Sequence, residues 1–157
     1  MKIRDYRADD ADALVAVFQS AVLEGSAPHY TPEQRAAWAA RISQGSVLHD
    51  RLKDQTCLVA SDDNGTLGFV ALQANGHLDM LFVCPDQRRN GTADALHDAL
   101  LSRAAADGHA GLSVYASHLA RRFLARRGWQ YVRTETVNLH GVTLEHHYMT
   151  LQPGHPA

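Results

Sequence analysis

The residues of this chain with the clearest chemical potential form a turn, Arg88-Arg89-Asn90-Gly91-Thr92-Ala93. The segment before it, His77–Val83, is apolar with partial alternation and is soon followed by Pro85, which is typical of a strand that ends abruptly. From Ala93 onward, apolar residues recur at helical spacing. A turn that leads from a strand into a helix presents free backbone N–H groups at the positive end of the helix dipole. We therefore expect this turn to bind a phosphate.

The order of residues across the turn is more specific than its charge. The pattern Val83-x-Pro85-x-x-Arg88-x-x-Gly91-x-Ala93 resembles the acetyl-CoA signature of the GNAT superfamily of N-acetyltransferases, Arg/Gln-x-x-Gly-x-Gly/Ala after a strand that ends in Val-x-Pro. The turn has neither the three glycines of the Rossmann fingerprint nor the Gly-Lys-Ser/Thr of a Walker A loop. A charged turn that only caps a helix would share many of these residues. The rest of the chain favours the family resemblance.

A second segment, Ala116-Ser117-x-x-Ala120-x-x-Phe123-Leu124-x-x-x-Gly128-Trp129, is similar to the family's Asn-x-x-Ala-x-x-Phe-Tyr-x-x-x-Gly-Phe. In the family this helix flanks the pantetheine and thiol of CoA. An amphipathic helix that ends at a glycine would also explain Phe123 and Gly128 without a ligand. Ser117 replaces the usual Asn, and Leu124 stands where the family often has the tyrosine proposed to protonate the departing thiolate. A non-catalytic acyl-CoA-binding module is therefore the second hypothesis.

The resemblance implies a chain that takes an acetyl group from acetyl-CoA. It implies that the amides of the turn hold the pyrophosphate, and that the backbone of the preceding strand bonds the acetyl carbonyl and the pantetheine arm. The implied cofactor-binding residues are Leu81, Phe82, Val83, Arg88, Arg89, Asn90, Gly91, Thr92, Ala93, Ser117 and Phe123. The implied acceptor is a primary amine of a small molecule, peptide or protein, which attacks directly without a covalent enzyme intermediate.

Transfer to an amine at neutral pH needs a base, because an alkyl ammonium has a pKa of about 10. Asp79 is the first candidate, since alternation places it on the strand face of Leu81 and Val83, beside the cleft. A solvated or ion-paired carboxylate is an equally good interpretation of Asp79. His77 lies on the same predicted face and is the second candidate, acting directly or through a water.

Two strand tyrosines, Tyr115 and Tyr148, are the candidates for protonating the leaving group in place of a hydroxyl at position 124. A strand tyrosine more often packs and satisfies its hydroxyl nearby. A thiolate of pKa about 8.5 leaves readily, so the absence of that hydroxyl need not abolish turnover. His146 and His147 project to opposite faces of the last strand, so at most one of them reaches the cleft.

The elements that must position these residues follow the order β-α-α-β-β-β-α-β-α-β-β, which resembles the GNAT arrangement. Strands are predicted over Lys2–Tyr6, Cys57–Ser61, Gly68–Gln73, His77–Val83, Leu112–Ala116, Gln130–Leu139 and Val142–Leu151. Helices are predicted after Asp9 or Asp10, from Pro32 to Gly45, after Gly91, and from Ser117 to Gly128. The predicted fold is α/β, with a mixed, mostly antiparallel sheet of about seven strands and roughly four helices. In the family the first helical region builds the acceptor site, which makes His29, Tyr30 and Trp38 candidate walls; core packing is the alternative for Trp38.

Composition sets broad limits on function. The 157 residues fit one domain, 1–157, in which Gln152–Ala157 forms a loose tail. Fifteen Lys and Arg against 17 Asp and Glu give a charge of −2, which argues against a nucleic-acid partner. The ten histidines lack a His-x-x-His or His-x-x-x-His spacing, so we expect no metal site. No signal or membrane segment is recognisable, and a cytoplasmic location is the default expectation. The family resemblance makes a homodimer possible, although no residue argues for one.

Overall fold

A computed structural model describes residues 1–87 and 90–152, in which seven strands form one sheet. The strands are β1 (Lys2–Asp5), β2 (Thr56–Asp62), β3 (Gly65–Leu72), β4 (His77–Val83), β5 (Leu112–Ala116), β6 (Gln130–Leu139) and β7 (Val142–Leu151). Their order in the sheet is β1-β2-β3-β4-β5-β7-β6. All neighbours are antiparallel except β4 and β5, which are parallel. The predicted mixed, mostly antiparallel sheet of seven strands is confirmed.

Five α-helices pack on the sheet, one more than predicted. They are α1 (Ala11–Ser20), α2 (Pro32–Ala39), α3 (Gly45–Leu52), α4 (Thr92–Ala106) and α5 (His118–Arg126). The prediction that one helix runs from Pro32 to Gly45 is wrong, because α2 ends at Ala39 and Gly45 begins α3. A Cβ atom at Gly45 would clash with the carboxylate of Asp12 on α1. The glycine at this position allows two helices to approach closely and does not terminate one.

Side-chain caps define two of the helix starts as predicted. Thr31 Oγ1 accepts the amide of Gln34 at 3.1 Å, and Gln34 Oε1 accepts the amide of Thr31 at 3.0 Å, so α2 begins with a capping box. Ser117 Oγ accepts the amide of Ala120 at 3.2 Å at the start of α5. Gly128, with a φ of +92°, follows the end of α5 in the left-handed conformation that a glycine adopts without strain.

Two hydrophobic clusters cover the opposite faces of the sheet. The cluster around Leu96, Leu100 and Leu124 joins α4 and α5 to one face. The cluster around Phe18 and Leu48 joins α1 and α3 to the other face. Each fully buried leucine of this kind contributes about 1.5–3 kcal/mol relative to an exposed one. The sheet therefore separates the helical region of the first 52 residues from the helix that follows the proposed phosphate turn.

The sheet opens between β4 and β5. These two strands pair at only two positions, His77 with Ser113 and Leu78 with Val114, whereas β4 continues to Val83. Beyond Leu78, β4 is paired on its β3 side alone. Its backbone groups on the β5 side therefore have no strand partner among the described residues, and they are available to a ligand.

Candidate active site

A cavity of about 320 Å³ lies beside the opening between β4 and β5. Its aromatic lining comes from Phe18, Tyr30, Trp38, Phe82 and Tyr115. Besides Tyr30 and Tyr115, the ionisable residues that line the cavity are Arg41, Arg51, His77, Asp79, Glu145 and His146. The structure thus brings both predicted base candidates, Asp79 and His77, into one cavity.

A β-bulge determines the direction of the Asp79 side chain. Met80 pairs with Ala71 and Leu78 pairs with Leu72, which leaves Asp79 as the extra residue of β4. The bulge interrupts the alternation of β4, so that Asp79 faces α3 whereas Leu81 and Val83 pack toward α4. The prediction that Asp79 shares a face with Leu81 and Val83 is therefore wrong, because simple alternation does not hold across a bulge.

The carboxylate of Asp79 is engaged in an ion pair. Arg51 of α3 donates from Nε and Nη2 to its two oxygens at 2.8 and 2.7 Å, and Gln55 Nε2 donates at 2.8 Å. The Asp79 side chain is only 6% exposed. Burial alone would raise its pKa, but the hydrogen bonds from Arg51 and Gln55 and the charge of Arg51 outweigh burial and lower the pKa. A carboxylate with a lowered pKa and both oxygens occupied is a poor proton acceptor.

His77 has the properties that Asp79 lacks. Its Nδ1 lies 2.8 Å from Ser113 Oγ on β5, and its Nε2 has no hydrogen-bond partner within residues 1–87 and 90–152. Burial lowers the pKa of His77, and the charge of His146 lowers it further, against an opposing effect of Asp79. The imidazole is therefore neutral at pH 7. When Nδ1–H donates to Ser113, the Nε2 lone pair is free to accept a proton.

The two tyrosine candidates differ in position. Tyr115 lines the cavity, is 44% exposed and stacks on His146 with ring centroids 4.5 Å apart. Tyr148 lies beside Tyr115 and under the guanidinium of Arg133, 4.4 Å from its ring centroid, and does not line the cavity. Of the two, only Tyr115 is placed to interact with a ligand in the cavity.

His146 and His147 face opposite sides of β7, as predicted. His146 lines the cavity. His147 is buried on the other side, where its Nε2 lies 2.7 Å from His118 Nδ1 and its Nδ1 lies 2.9 Å from Thr134 Oγ1. Burial lowers the pKa of His147, with further lowering by Arg121 and His118. This second histidine therefore ties β7 to α5 rather than lining the cavity.

The aromatic wall of the cavity consists of Phe18, Tyr30, Trp38 and Phe82. Phe82 contacts Phe18 edge-on at 5.0 Å, and Trp38 lies 5.5 Å from Tyr30 in a similar arrangement. The Tyr30 hydroxyl accepts the amide of His118 at 3.1 Å and donates to the carbonyl of Glu145 at 3.2 Å. Tyr30 and Trp38 line the cavity as predicted, whereas His29 does not. Ring contacts among these side chains and the hydrogen bonds of the Tyr30 hydroxyl therefore hold the wall in place.

The start of α4 has the features of an anion site. Gly91 precedes the helix with a φ of +78°, and a Cβ at this position would meet no atom within 4 Å. No side chain caps the helix, and no hydrogen bond from a described residue reaches the amides of Thr92, Ala93 or Asp94. These amides and the open space at Gly91 fit a diphosphate. Asn90 bonds to Gln87, while the predicted roles of Arg88 and Arg89 lie outside the described residues.

The other predicted cofactor contacts occupy the expected elements. Thr92 is buried, and Ala93 and Leu81 pack against the cluster between the sheet and α4. Ser117 lines the cavity while its oxygen caps α5. Phe123 packs edge-on against His97 at 5.8 Å. Leu124 is 1% exposed, so position 124 supplies no polar group to the site.

Sequence reasoning missed Arg41, Arg51 and Glu145, which line the cavity, and Ser113, whose Oγ lies 2.8 Å from His77 Nδ1. Arg51 lies on α3, which was not predicted, and Gln55 follows three residues after the end of that helix. Nothing in the sequence around Ser113 or Glu145 distinguishes these residues from ordinary strand positions. Among the described residues, no group of three or more His, Cys, Asp or Glu is arranged to hold a metal ion, and no helix is long and apolar enough to cross a membrane.

Comparisons with known proteins agree with this geometry. Residues 26–152 match the family model of the acetyltransferase (GNAT) domain. The chain is 33% identical over 155 residues to the uncharacterized N-acetyltransferase YafP of Escherichia coli K12, covering 99% of this chain and 98% of that protein. It is also 33% identical to a GCN5-related N-acetyltransferase (aminotransferase, class II) from Rhodopseudomonas palustris, with a TM-score of 0.91 over 96% of this chain and 94% of that one.

The fold extends to more distant relatives. The paia N-acetyltransferase of Thermoplasma acidophilum, solved in complex with coenzyme A, shares 16% identity and a TM-score of 0.74 over 96% of this chain and 98% of that one. At this identity the similarity concerns the fold alone. The family model, which covers most of the chain, and the two relatives at 33% identity carry the assignment, and together they show that this chain belongs to the GNAT family of acetyltransferases.

Proposed function

We propose that the chain transfers the acetyl group of acetyl-CoA to a primary amine held in the cavity beside β4, with His77 as the general base. The observation that carries the proposal is the combination of three features: the opening between β4 and β5, a histidine at that opening whose pKa is lowered, and an uncapped helix start at Gly91. As an acetyltransferase of this family, the protein takes its acetyl group from acetyl-CoA, which supplies an activated thioester carbonyl.

The residues of the chain have distinct roles in this proposal. The amides of Thr92 and Ala93 hold the diphosphate, and the unpaired backbone groups of β4 beyond Leu78 bond the acetyl carbonyl. An N–H directed at a developing oxyanion lowers the barrier by about 3–4 kcal/mol. His77 Nε2 removes the proton from the acceptor nitrogen, while Ser113 holds Nδ1–H and so orients the ring. Tyr115, at the same opening, donates from its hydroxyl to the leaving sulfur.

Asp79 acts in this proposal as a positioning residue. Its ion pair with Arg51 joins α3 to the bulge of β4, and its negative charge raises the pKa of the neighbouring His77. The family resemblance favours a base on this strand. Because the pKa of Asp79 is lowered, Asp79 is a poor proton acceptor, and His77 is the better candidate. A cytoplasmic location, a homodimer and a single domain over the whole chain stay predictions.

The test is acceptor-dependent release of CoA. The protein is incubated with acetyl-CoA and a panel of primary amines, the free thiol is measured, and the acetylated product is identified by mass spectrometry. We expect release with at least one amine, and a rate reduced by about 10²–10⁴-fold in His77→Gln with unchanged CoA affinity. Ser113→Ala should reduce the rate less, because it removes only the orientation of the ring. Micromolar CoA binding without release for any amine would instead identify a non-catalytic acyl-CoA-binding module.

A further inference from the structure

Two arginines line the cavity, and only one of them is neutralised. Arg51 is held by the carboxylate of Asp79 through hydrogen bonds of 2.7 and 2.8 Å. Arg41 lies two residues beyond the end of α2, and its guanidinium makes no hydrogen bond or ion pair with any residue in the described part of the chain. The cavity therefore contains a cation that no carboxylate of the described residues pairs with.

The surroundings of Arg41 favour an anionic ligand. Arg41 is exposed to solvent on one side, while partial burial of its guanidinium lowers its pKa and the nearby charge of Arg51 lowers it further, against a smaller opposing effect of Asp79. The guanidinium nevertheless stays charged, because its pKa lies far above neutral pH. A carboxylate bound there would form charge-assisted hydrogen bonds with the guanidinium and offset the repulsion from Arg51.

The wall next to Arg41 is apolar and aromatic. Trp38 precedes Arg41 by three residues, about one helical turn, and both line the cavity together with Phe18 and Phe82. The Tyr30 hydroxyl is already bonded to protein backbone. This wall is suited to an apolar group, and Arg41 is the group on this side of the cavity that could pair with a charged group of a ligand.

Glu145 of β7 also lines the cavity, where its backbone carbonyl accepts the Tyr30 hydroxyl at 3.2 Å. Its side chain alternates with that of His146 and so projects to the face of His147. Arg41 is therefore the charged group that a ligand carboxylate would complement. A polyamine or a lysine side chain has no group to complement Arg41, and it would be repelled by that charge.

We propose that the acceptor is a small amino acid, whose carboxylate binds Arg41 and whose side chain packs on the wall of Phe18, Trp38 and Phe82. This inference rests on the proposed function, because it names the substrate class of the same cavity. The cavity volume of about 320 Å³ lies at the lower end of the range for small-molecule sites and agrees with a ligand of this size.

The first test measures binding without turnover. The protein saturated with CoA is titrated calorimetrically with each standard α-amino acid and with the amine that lacks only its carboxylate, such as phenylalanine and phenethylamine. We expect at least one amino acid to bind about 10- to 100-fold more tightly than its amine counterpart, as a hydrogen-bonded charge pair would provide. Equal affinities throughout, or no amino acid binding at millimolar concentration, would overturn the inference.

Variants of Arg41 test whether its guanidinium is the group that binds the carboxylate. Arg41→Gln should weaken binding of that amino acid by a similar factor and leave its amine counterpart unaffected, and Arg41→Lys should restore part of the affinity. Arg126→Gln, which removes an exposed arginine on α5 outside the cavity, serves as the matched control and should change neither affinity. A loss in Arg41→Gln that is equal for amino acid and amine would contradict a carboxylate contact.

Turnover separates this inference from the proposed function. With acetyl-CoA present, Arg41→Gln should raise KM for the amino acid with little change in kcat. If amino acids bind through Arg41 but no amine releases CoA, the proposed function fails while the carboxylate site stands. If amines without a carboxylate release CoA as efficiently as amino acids do, acetyl transfer stands and the substrate class is wrong.

Discussion

Arg51 donates to both carboxylate oxygens of Asp79, at 2.8 Å from Nε and 2.7 Å from Nη2. This contact joins α3 to the bulge of β4 at the point where β4 and β5 separate. It occupies the carboxylate that alternation suggested as the base, and it neutralises one of the two arginines of the cavity. The proposed role of His77 as base and that of Arg41 as an anion site both rest on this ion pair.

Asp79→Asn should lower the free energy of unfolding by about 1–2 kcal/mol at pH 7, because Arg51 loses its charged partner and is about one-third exposed. The lowered pKa of Asp79 means that this contribution is present above about pH 4 and is lost as the pH falls through the folded-state pKa. Urea denaturation measures it. Asp50→Asn, which removes only an exposed 3.9 Å pair with Lys53, is the matched control.

The same variant tests the identity of the base. The charge of Asp79 raises the pKa of His77. Asp79→Asn should therefore shift the acid limb of the kcat/KM profile to lower pH without abolishing the limb. Disappearance of the limb would show that Asp79 is itself the base.

His146→Ala should shift that limb in the opposite direction. In the wild-type protein, kcat/KM should fall with decreasing pH through the pKa of His77, which burial and the charge of His146 hold below its usual value. Removal of His146 takes away one of these effects, so the pKa of His77 rises and the limb moves to higher pH. An unchanged profile would argue that the titrating group lies elsewhere in the cavity.

Gly91→Glu should weaken CoA binding by more than about tenfold, because the new carboxylate would lie beside the diphosphate at the start of α4. Calorimetric titration with CoA measures the change. Gly108→Glu is the matched control, since Gly108 follows the other end of the same helix with a similar φ of +82° and equally open surroundings. Equal losses in both variants would indicate backbone strain, and unchanged affinity in Gly91→Glu would contradict the phosphate site.

His97 should make the protein less stable in mild acid. It is 2% exposed and accepts the indole N–H of Trp129 at 2.9 Å, and burial lowers its pKa, against an opposing effect of Asp98. The unfolded chain therefore takes up a proton near pH 6.5 and the folded chain only at lower pH. The free energy of unfolding should fall below pH 6.5 by up to about 1.4 kcal/mol per pH unit for this group.

His97→Gln tests this dependence by removing the titrating ring and keeping an acceptor. We expect lower stability at pH 7 but a flatter dependence between pH 6.5 and 5, measured by urea denaturation. His109→Gln, in the loop before β5, is the control, because it removes a histidine that takes no part in the buried contact between His97 and Trp129. An equal slope in His97→Gln would contradict the role of His97.

Local chemistry was sufficient to predict most of the elements. Thr31 with Gln34 and Ser117 with Ala120 form caps that depend on residues three apart, and strand Leu112–Ala116 lies between clear turn signals. The missed helix α3 shows where this reasoning ends. Gly45 has the sequence features of a helix end, and only its contact with Asp12 on α1 explains why a glycine stands at a helix start.

The sequence by itself determined the family and most of the elements, including the strand and helix on either side of the turn proposed to bind phosphate, because these depend on patterns of neighbouring residues. The tertiary structure decided which side chains meet in the cavity. The bulge at Asp79 reverses its expected face, Arg51 then neutralises it, and Arg41 is left without a hydrogen-bond or ion-pair partner among residues 1–87 and 90–152. Each of these outcomes depends on contacts between residues distant in the chain, which no local pattern encodes.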